Sequence, residues 1–423
     1  MQYDFYQTSL SKCLSLIIDY RGRTPKKLGL DWSDDGYRAI SANNVKFSGL
    51  TKIDDIKFGN QELYDLWMKK EVKKGDLLLT SEAPSGQVMI WDSDEKIILS
   101  QRLYALRVND NFDNKYLKYY IQSEMGQKEI IKNNSGSTVF GISAKTFDNI
   151  IVYHPIKDIQ EKIGNLLYTI DKKIALNKQI NARLEQMAKT LYDYWFVQFD
   201  FPDTDGKPYK SSGGEMVFDE TLKREIPKGW EVKSLGEIVN FKNGINYSSD
   251  DVGDSVSYIV NVRDVSNSSI FIHEDDLDIV NLQSDKLQAY QIKENTILVA
   301  RSGNPGATRL LINTNKLVVY CGFIIAAEPK ESNLLNLLFW FLKNQEERIS
   351  DISAGTVLKN VSQDVLKRGC IVIPDKFILN KFNEFNRNIF AEISSMIKQN
   401  HRLTQLRDFL LPMLMNGQVS VAE

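Results

Sequence analysis

The chain repeats itself. NARLEQM (181–187) returns 219 positions later as NHRLTQL (400–406), with Asn181, Arg183, Leu184 and Gln186 matched by Asn400, Arg402, Leu403 and Gln405. Shifted by about 220 residues, the halves stay in step and in the same order. EVKKGDLLLTSEAPSG (71–86) lies over QIKENTILVARSGNPG (291–306) without a gap, and RAISANNV (38–45) over YIVNVRDV (258–265). YLKYYIQ (116–122) faces LLFWFLK (337–343), and STVFGIS (137–143) faces GTVLKNVS (355–362) with one insertion. IIVYHP and CIVIP meet at Pro155 and Pro374. Identity within each window is low. Their collinearity marks a tandem duplication, with roughly 200 residues per copy.

Each copy has one grammar. Short strand-like runs (DLLLT, VMIW, KIILS; TILVA, RLLI, KLVVY) alternate with Gly, Pro, Asn and Ser turns. A helical pattern follows, at 116–131 and 334–349, then a turn, a strand ending in proline and a long helix. In the long helices apolar residues recur at steps of four and three. The first gives Ile163, Leu167, Ile170, Ile174, Asn177, Asn181, Leu184, Ala188, Leu191 and Trp195. The second gives Phe382, Asn386, Ile389, Ile393, Met396, Asn400, Leu403, Arg407, Leu410 and Leu414. A seven-residue repeat sustained this far is the pattern of helices that wrap around a partner. Asn181 and Asn400 are equivalent seam positions, where an amide weakens packing but rejects registers that leave it unpartnered.

Pairing of the two helices with each other sets the expected architecture. It is an α+β fold: two tandem-repeated mixed α/β domains separated by two long antiparallel coiled-coil helices, with pseudo-twofold symmetry. The expected bounds are 1–158, 159–200 for the central helix, 201–378, and 379–423 for the C-terminal helix and tail. Parallel pairing needs a connection running back along the helices, and 201–230 is long enough, so the sequence leaves direction open. The aromatic run YDYWF (192–196) exceeds what one seam can take. It either caps the helix against a globular domain or lines a partner-binding face.

Composition narrows the class. Net charge is −2, and residues 1–159 carry 22 Lys/Arg against 21 Asp/Glu, so no bulk electrostatic footprint for nucleic acid exists. A local basic face or a partner must supply it. Three cysteines without paired spacing (Cys13, Cys321, Cys370) indicate neither a disulfide scaffold nor a zinc site. MQYDFYQTSLSKC lacks a signal-peptide pattern, and no apolar run could span a bilayer, so a cytoplasmic chain without membrane partners is expected. The sequence has no Walker A loop, no HExxH, and no glycine-rich turn for S-adenosylmethionine. His154, His273 and His401 are scattered along it. Asp203 with Glu231 and Lys233 fits a loose metal-dependent nuclease pattern, an alternative reading. A coiled-coil adaptor for proteins is another.

The chain resembles a specificity subunit of a type I restriction–modification system. The resemblance runs essentially its whole length. It is carried by IDKKIALNKQINARLEQMAKTLYDYWFVQFDFP (170–202), IPKGWEVKSLGEI (226–238) and LTQLRDFLLPMLMNGQV (403–419), and more weakly by RGRTP (21–25), GDLLLTSEAPSG (75–86) and ILVARSGNPG (297–306). KNGINYSS (242–249) departs from RGRTPKK in the first copy. The resemblance implies a non-catalytic subunit whose two target-recognition domains each read one half of a bipartite double-stranded DNA target. The paired helices would act as spacer and dock two copies of a modification (methyltransferase) subunit, with restriction/translocase subunits joining. It also implies that this chain binds no cofactor or metal itself, S-adenosylmethionine, ATP and Mg2+ belonging to the partners. About 35 residues at about 1.5 Å each make a rod of about 50 Å, against roughly 34 Å per turn of B-DNA.

Turns rich in Ser, Asn, Gly and basic residues approach phosphates and base edges. In the first copy these are Arg21, Arg23, Asn43, Asn44, Lys46, Ser81, Ser85, Arg102, Lys132, Asn133, Ser135 and Ser137. In the second they are Asn246, Arg263, Arg301, Ser302, Asn304, Arg309, Lys359 and Asn360. Arginine suits guanine because its planar fork bonds two acceptors on one edge. The expected helix interface is Ile174, Asn181, Leu184, Leu191 and Trp195 against Ile393, Asn400, Leu403, Leu410 and Leu414.

Overall fold

The computed structural model describes residues 4–134, 141–247, 253–312, 315–346, 348–349 and 360–421. The chain forms two compact units, Met1–Leu176 with Asn400–Glu423, and Asn177–Gln399. Among the described residues no helix is long and apolar enough to cross a membrane.

The first unit is built on an antiparallel sheet ordered Leu14–Asp19, Leu103–Val108, Leu77–Thr80, Val88–Ile90. A smaller sheet joins Lys57–Gly59, Tyr37–Ile40 and Ile98–Leu99, the last pair parallel with Ile40 on Leu99. Tyr6–Ser9 pairs with Ile151–His154 just before the long helix. The second unit repeats this plan: Val239–Asn243, Ile324–Pro329, Ile297–Ala300 and Thr308–Leu311, with Phe271–Ile272 added at the edge. Its smaller sheet joins Asp278–Leu282, Ser255–Val260 and Val318–Tyr320, again with one parallel pair, Val260 on Tyr320. Glu231–Ser234 pairs with Cys370–Ile373.

The continuous apolar runs at these central strands have a physical cause. Successive strand side chains point to opposite faces, and both faces here are covered. Leu77 and Leu79 enter the core under the long helices, whereas Leu78 enters a second core with Ile40, Trp67 and Leu99. Ile297 and Val299 divide from Leu298 and Ala300 in the same way.

The helix expected at 116–131 is instead two, Asn114–Gln122 and Glu124–Lys132. The chain turns at Ser123, whose hydroxyl accepts from the Gly126 N–H at 3.2 Å and so caps the second helix. Cap chemistry overrode an otherwise unbroken helical pattern.

The long helices span Lys157–Tyr192 and Lys376–Met415. In the first unit Ile163, Leu167, Ile170 and Ile174 are buried, as are Leu411 and Leu414, while Leu403 and Leu410 are half-buried. Asn400 Nδ2 donates to the Ile174 carbonyl (3.4 Å) and Arg407 binds Asp171 (2.9 Å). In the second, Leu184, Ala188 and Leu191 pack into one core with Phe382, Ile389 and Ile393. There Asn181 Nδ2 donates to the Ile393 carbonyl (3.5 Å) and Asn177 to Gln399 (2.7 Å). Partner numbers fall as residue numbers rise, so the helices run antiparallel within each unit.

The first long helix ends in one π-helical turn, Asp193–Val197. Tyr192, Trp195 and Phe196 are buried, with Trp195 6.1 Å and Phe196 4.7 Å from the Phe382 ring, whereas Tyr194 is 38% exposed. The aromatic run thus divides, three rings capping the core and one facing out.

Candidate nucleic-acid interface

One loop frame occurs in both units. Thr80 N–H donates to the Gln87 carbonyl (2.8 Å) and Gly86 N–H to that of Thr80 (3.0 Å); Ala300 to Ala307 and Gly306 to Ala300 repeat this at 2.9 Å each. Ser81 N–H donates to Arg102 and its carbonyl accepts from Ile142, both at 2.9 Å. In the second unit Arg301 N–H donates to Phe323 (2.8 Å) and its carbonyl accepts from Val361 (2.9 Å). Gly86 and Gly306 both adopt φ +89°, the left-handed region that glycine enters without strain. The frame is the repeated SEAPSG/RSGNPG stretch. The two units therefore share one hydrogen-bond frame here and carry different side chains on it.

In the first unit this frame gathers Ser81, Glu82, Ser85 and Arg102. The Arg102 Nε–Glu82 ion pair (3.0 Å) is exposed on the arginine side, and Ser85 hydroxyl donates to Asn134 (3.1 Å). The buried Ser81 hydroxyl has no hydrogen-bond partner among the described residues. An exposed ion pair of this kind contributes about 0–1 kcal/mol, so Arg102 can exchange Glu82 for a base edge at little cost. In the second unit the half-buried Arg301 donates from Nη1 to the Gly322 carbonyl (3.1 Å), while its Nε lacks a partner among the described residues. Ser302 and Asn304 lie on the same loop, half-buried. Exposed Asn246 lies against Gly322, and exposed Asn360 adjoins Val361.

Several other candidates are held by partners within their own units. Arg21 grips Asp19 with both prongs (2.9 and 2.8 Å) and lies 4.1 Å over the Tyr104 ring. Burial would raise the Asp19 carboxyl, but the hydrogen bonds and charge of Arg21 hold it below its usual range. Arg23 donates to the Trp67 carbonyl (2.8 Å) and covers Tyr20. Asn44 is buried, bonded to Ser41 and to the carbonyls of Thr51 and Lys52. Arg309 is buried on Glu346 (2.6 Å) and the Ser268 carbonyl. Asn133 donates to the Glu129 carbonyl (2.8 Å), and exposed Lys132 pairs with the Glu129 carboxylate (3.3 Å). Arg263 is exposed but held by Asp264 and Asp278. Asn43 is exposed beside half-buried Lys46. Ser135, Ser137 and Lys359 lie outside the described residues. Asp19 is a chain neighbour of Arg21, two positions back, whereas Tyr104 is set beneath the guanidinium only by the fold.

Asp203, of the nuclease pattern, accepts from the Asp205 and Lys207 N–H groups at 2.9 and 2.8 Å, a turn-capping role. Glu231 and Lys233 pair with each other at an exposed strand (3.1 Å). In the second unit an apolar cleft of about 310 Å³ is lined by Gln186, Met187, Thr190, Leu191, Tyr194 and Phe385. The equivalent helix steps in the first unit carry Leu166, Leu406 and Phe409, exposed at 36%, 45% and 63%.

The model of the type I restriction modification DNA specificity domain matches residues 13–186 and again 227–402. The MjaIX specificity subunit of Methanocaldococcus jannaschii is 28% identical over 358 residues, covering 83% of this chain and 79% of that protein. The HindI specificity subunit of Haemophilus influenzae is 27% identical, covering 92% of this chain and all of that one. A solved type I restriction-modification S subunit from M. genitalium shares the fold at TM-score 0.59 and 15% identity, covering 100% of this chain and 97% of its own. The two matched segments are the two copies legible in the sequence and the two sheet systems of the structure: the chain belongs to the type I restriction–modification specificity-subunit family.

Proposed function

We propose that this chain is the non-catalytic DNA-reading subunit of a type I restriction–modification complex, recognising a bipartite double-stranded target with one half-site per unit. The observation that carries this reading is the loop frame at 81–86 and 301–306: one hydrogen-bond pattern, two different side-chain sets. Arg102, Ser85 and Glu82 read the first half-site; Arg301, Ser302, Asn304 and Asn246 read the second. Arg21, Arg23, Asn44 and Arg309 support these loops from within. Residues 1–158 and 201–378 act as the target-recognition domains, and 159–200 and 379–423 as spacer helices.

Two modification subunits dock on the exposed apolar steps of the long helices, Met187, Tyr194 and Phe385 in one unit and Leu406 and Phe409 in the other. Clusters of exposed apolar residues on one face mark interaction surfaces. Restriction subunits join that assembly in the cytoplasm, and S-adenosylmethionine, ATP and Mg2+ serve the partners' chemistry. The modification partner would extrude an adenine from the stack for methylation; the chain supplies the address.

The deciding experiment replaces residues 1–150 with those of a relative of different target and maps methylated sites in a host genome. One half-site changes and the other stays. A change on both sides rejects separate reading units. The purified chain alone neither methylates nor cuts DNA; metal-dependent cutting lost on Asp203→Ala establishes the nuclease reading instead.

A further inference from the structure

The two units differ sharply at one equivalent place. In the first, the nearly buried Lys118 binds Asp171 of the long helix (2.9 Å), Tyr119 donates its hydroxyl to the same carboxylate (2.5 Å), and Arg407 of the second long helix takes the other oxygen (2.9 Å). The same sheet-covering helix and the same helix steps in the second unit carry Phe339, Trp340, Phe390 and Ala188. Phe339 stands edge-on to Phe390 at 5.7 Å, Trp340 lies 6.2 Å from it, and Ala188 is fully buried. A charged network in one copy is an uncharged, mainly aromatic cluster in the other, where Trp340 Nε1 donates to Asn386 (2.7 Å).

A second asymmetry runs the opposite way. In the second unit Lys343 lies between Glu185 (3.7 Å) and Glu346 (3.4 Å). The equivalent positions of the first unit are uncharged: Gln122, Thr404 and Met125.

A duplicated chain faces a hazard. Its two long helices descend from one sequence, so each could pair with a second copy of itself in another molecule. We infer that these asymmetries make the seam accept only the unlike helix, and that the partner they exclude is the like helix of a second copy of this chain. Two second helices laid antiparallel in the same register would set Arg407 against Phe390. The guanidinium would be buried without Asp171, keeping only its exposed neighbour Asp408 (2.8 Å). Two first helices would set Asp171 against Ala188, losing its bond from Arg407. Removing one member of a buried ion pair is strongly unfavourable, whereas replacing the whole group by well-packed apolar residues is often neutral. The Arg407–Asp171 pair therefore exists only in the unlike arrangement.

The test uses the full chain with a reporter cysteine, Met396→Cys, in a Cys370→Ser background. Residue 393 sits opposite 181, the equivalent of 400, so position 396 falls at the centre of any second-helix self-pair and faces its copy. The protein is unfolded in denaturant with reductant, refolded, oxidised with diamide and run on a non-reducing gel. The wild-type seam should give only background dimer. Arg407→Ala should raise the linked fraction about tenfold or more. The apolar replacement Lys118→Phe with Tyr119→Trp, Asp171→Phe and Arg407→Ala should do so too, with helix content kept by circular dichroism. Equal linked fractions in wild type and Arg407→Ala, or abundant linked dimer from the wild-type seam, overturn the inference. Should the fourfold variant misfold, the Arg407→Ala comparison decides alone.

Discussion

The Asn181 side chain donates to the carbonyl of Ile393 at 3.5 Å, and the relationship recurs 219 positions on, where Asn400 donates to Ile174 at 3.4 Å. Each seam amide reaches a main-chain oxygen of the opposing helix, and the Asn181 Oδ1 is buried without a partner among the described residues. A buried unpaired acceptor costs about 1–3 kcal/mol. Asn181→Leu should therefore raise unfolding stability by roughly that amount in urea titration, while permitting alternative helix registers. Unchanged or lower stability would show that the amide contributes more than it costs.

Arg102 and Arg21 both lie near the first loop frame, but their substitution should read out differently. Arg102→Ala should weaken binding to DNA carrying the proper first half-site by about 1–3 kcal/mol, and leave discrimination at the second half-site intact. Arg21→Ala removes a two-pronged hold on Asp19 and should instead destabilise the first unit by about 1.5–3 kcal/mol. Fluorescence anisotropy on half-site variants, beside denaturant unfolding, separates the two.

Gly164 lets the first long helix lie against the start of helix Asn114–Gln122. A Cβ there would meet Asp113 Oδ1 at 2.4 Å and the Tyr116 nitrogen at 2.8 Å, the pair that caps that helix at 2.7 Å. Gly164→Ala should cost about 1–3 kcal/mol by overpacking, despite alanine's better helix propensity. Calorimetry showing a higher transition temperature would contradict this packing.

Acid should open the first unit before the second. Burial would raise the Asp171 carboxyl, but Lys118, Tyr119 and Arg407 hold it below the usual range, as Arg21 does for Asp19. Burial pulls Lys118 the other way, toward its neutral form, and Asp171 opposes that. A carboxyl with a depressed folded-state pKa stabilises fully above its unfolded value, about 4. That stabilisation is lost as pH falls through the lower folded value. Hydrogen exchange near pH 3 should show strand Leu103–Val108 losing protection before its counterpart Ile324–Pro329. The reverse order, or simultaneous loss, would assign no acid sensitivity to these carboxylates.

Four residues add about one turn, or about 6 Å, to a helix. Inserted into either long helix away from Asn181 and Asn400, they should change the preferred gap between half-sites or abolish specific binding. Methylome mapping that returns the original gap would exclude the helices as a ruler.

The duplication, the heptad seam and the strand runs were legible because periodicity is a local property: apolar residues at steps of three and four, or in unbroken runs, state which face is covered. The seam asparagines stood out for the same reason. The repeated turn stretches likewise pointed to the shared loop frame. What the tertiary structure alone decided depends on residues far apart in the chain. Helix direction within each unit follows from contacts such as Arg407 on Asp171; the break at Ser123, by contrast, is a local cap three residues before Gly126 that the helical periodicity masked. Whether an arginine is held within the fold or left free to exchange partners turns on neighbours brought in by folding: Tyr104 at Arg21, Glu346 at Arg309, and at the exposed Arg102 only the half-buried Glu82. Composition cannot distinguish these, because a guanidinium's role is set by which acceptors the fold leaves within reach of it.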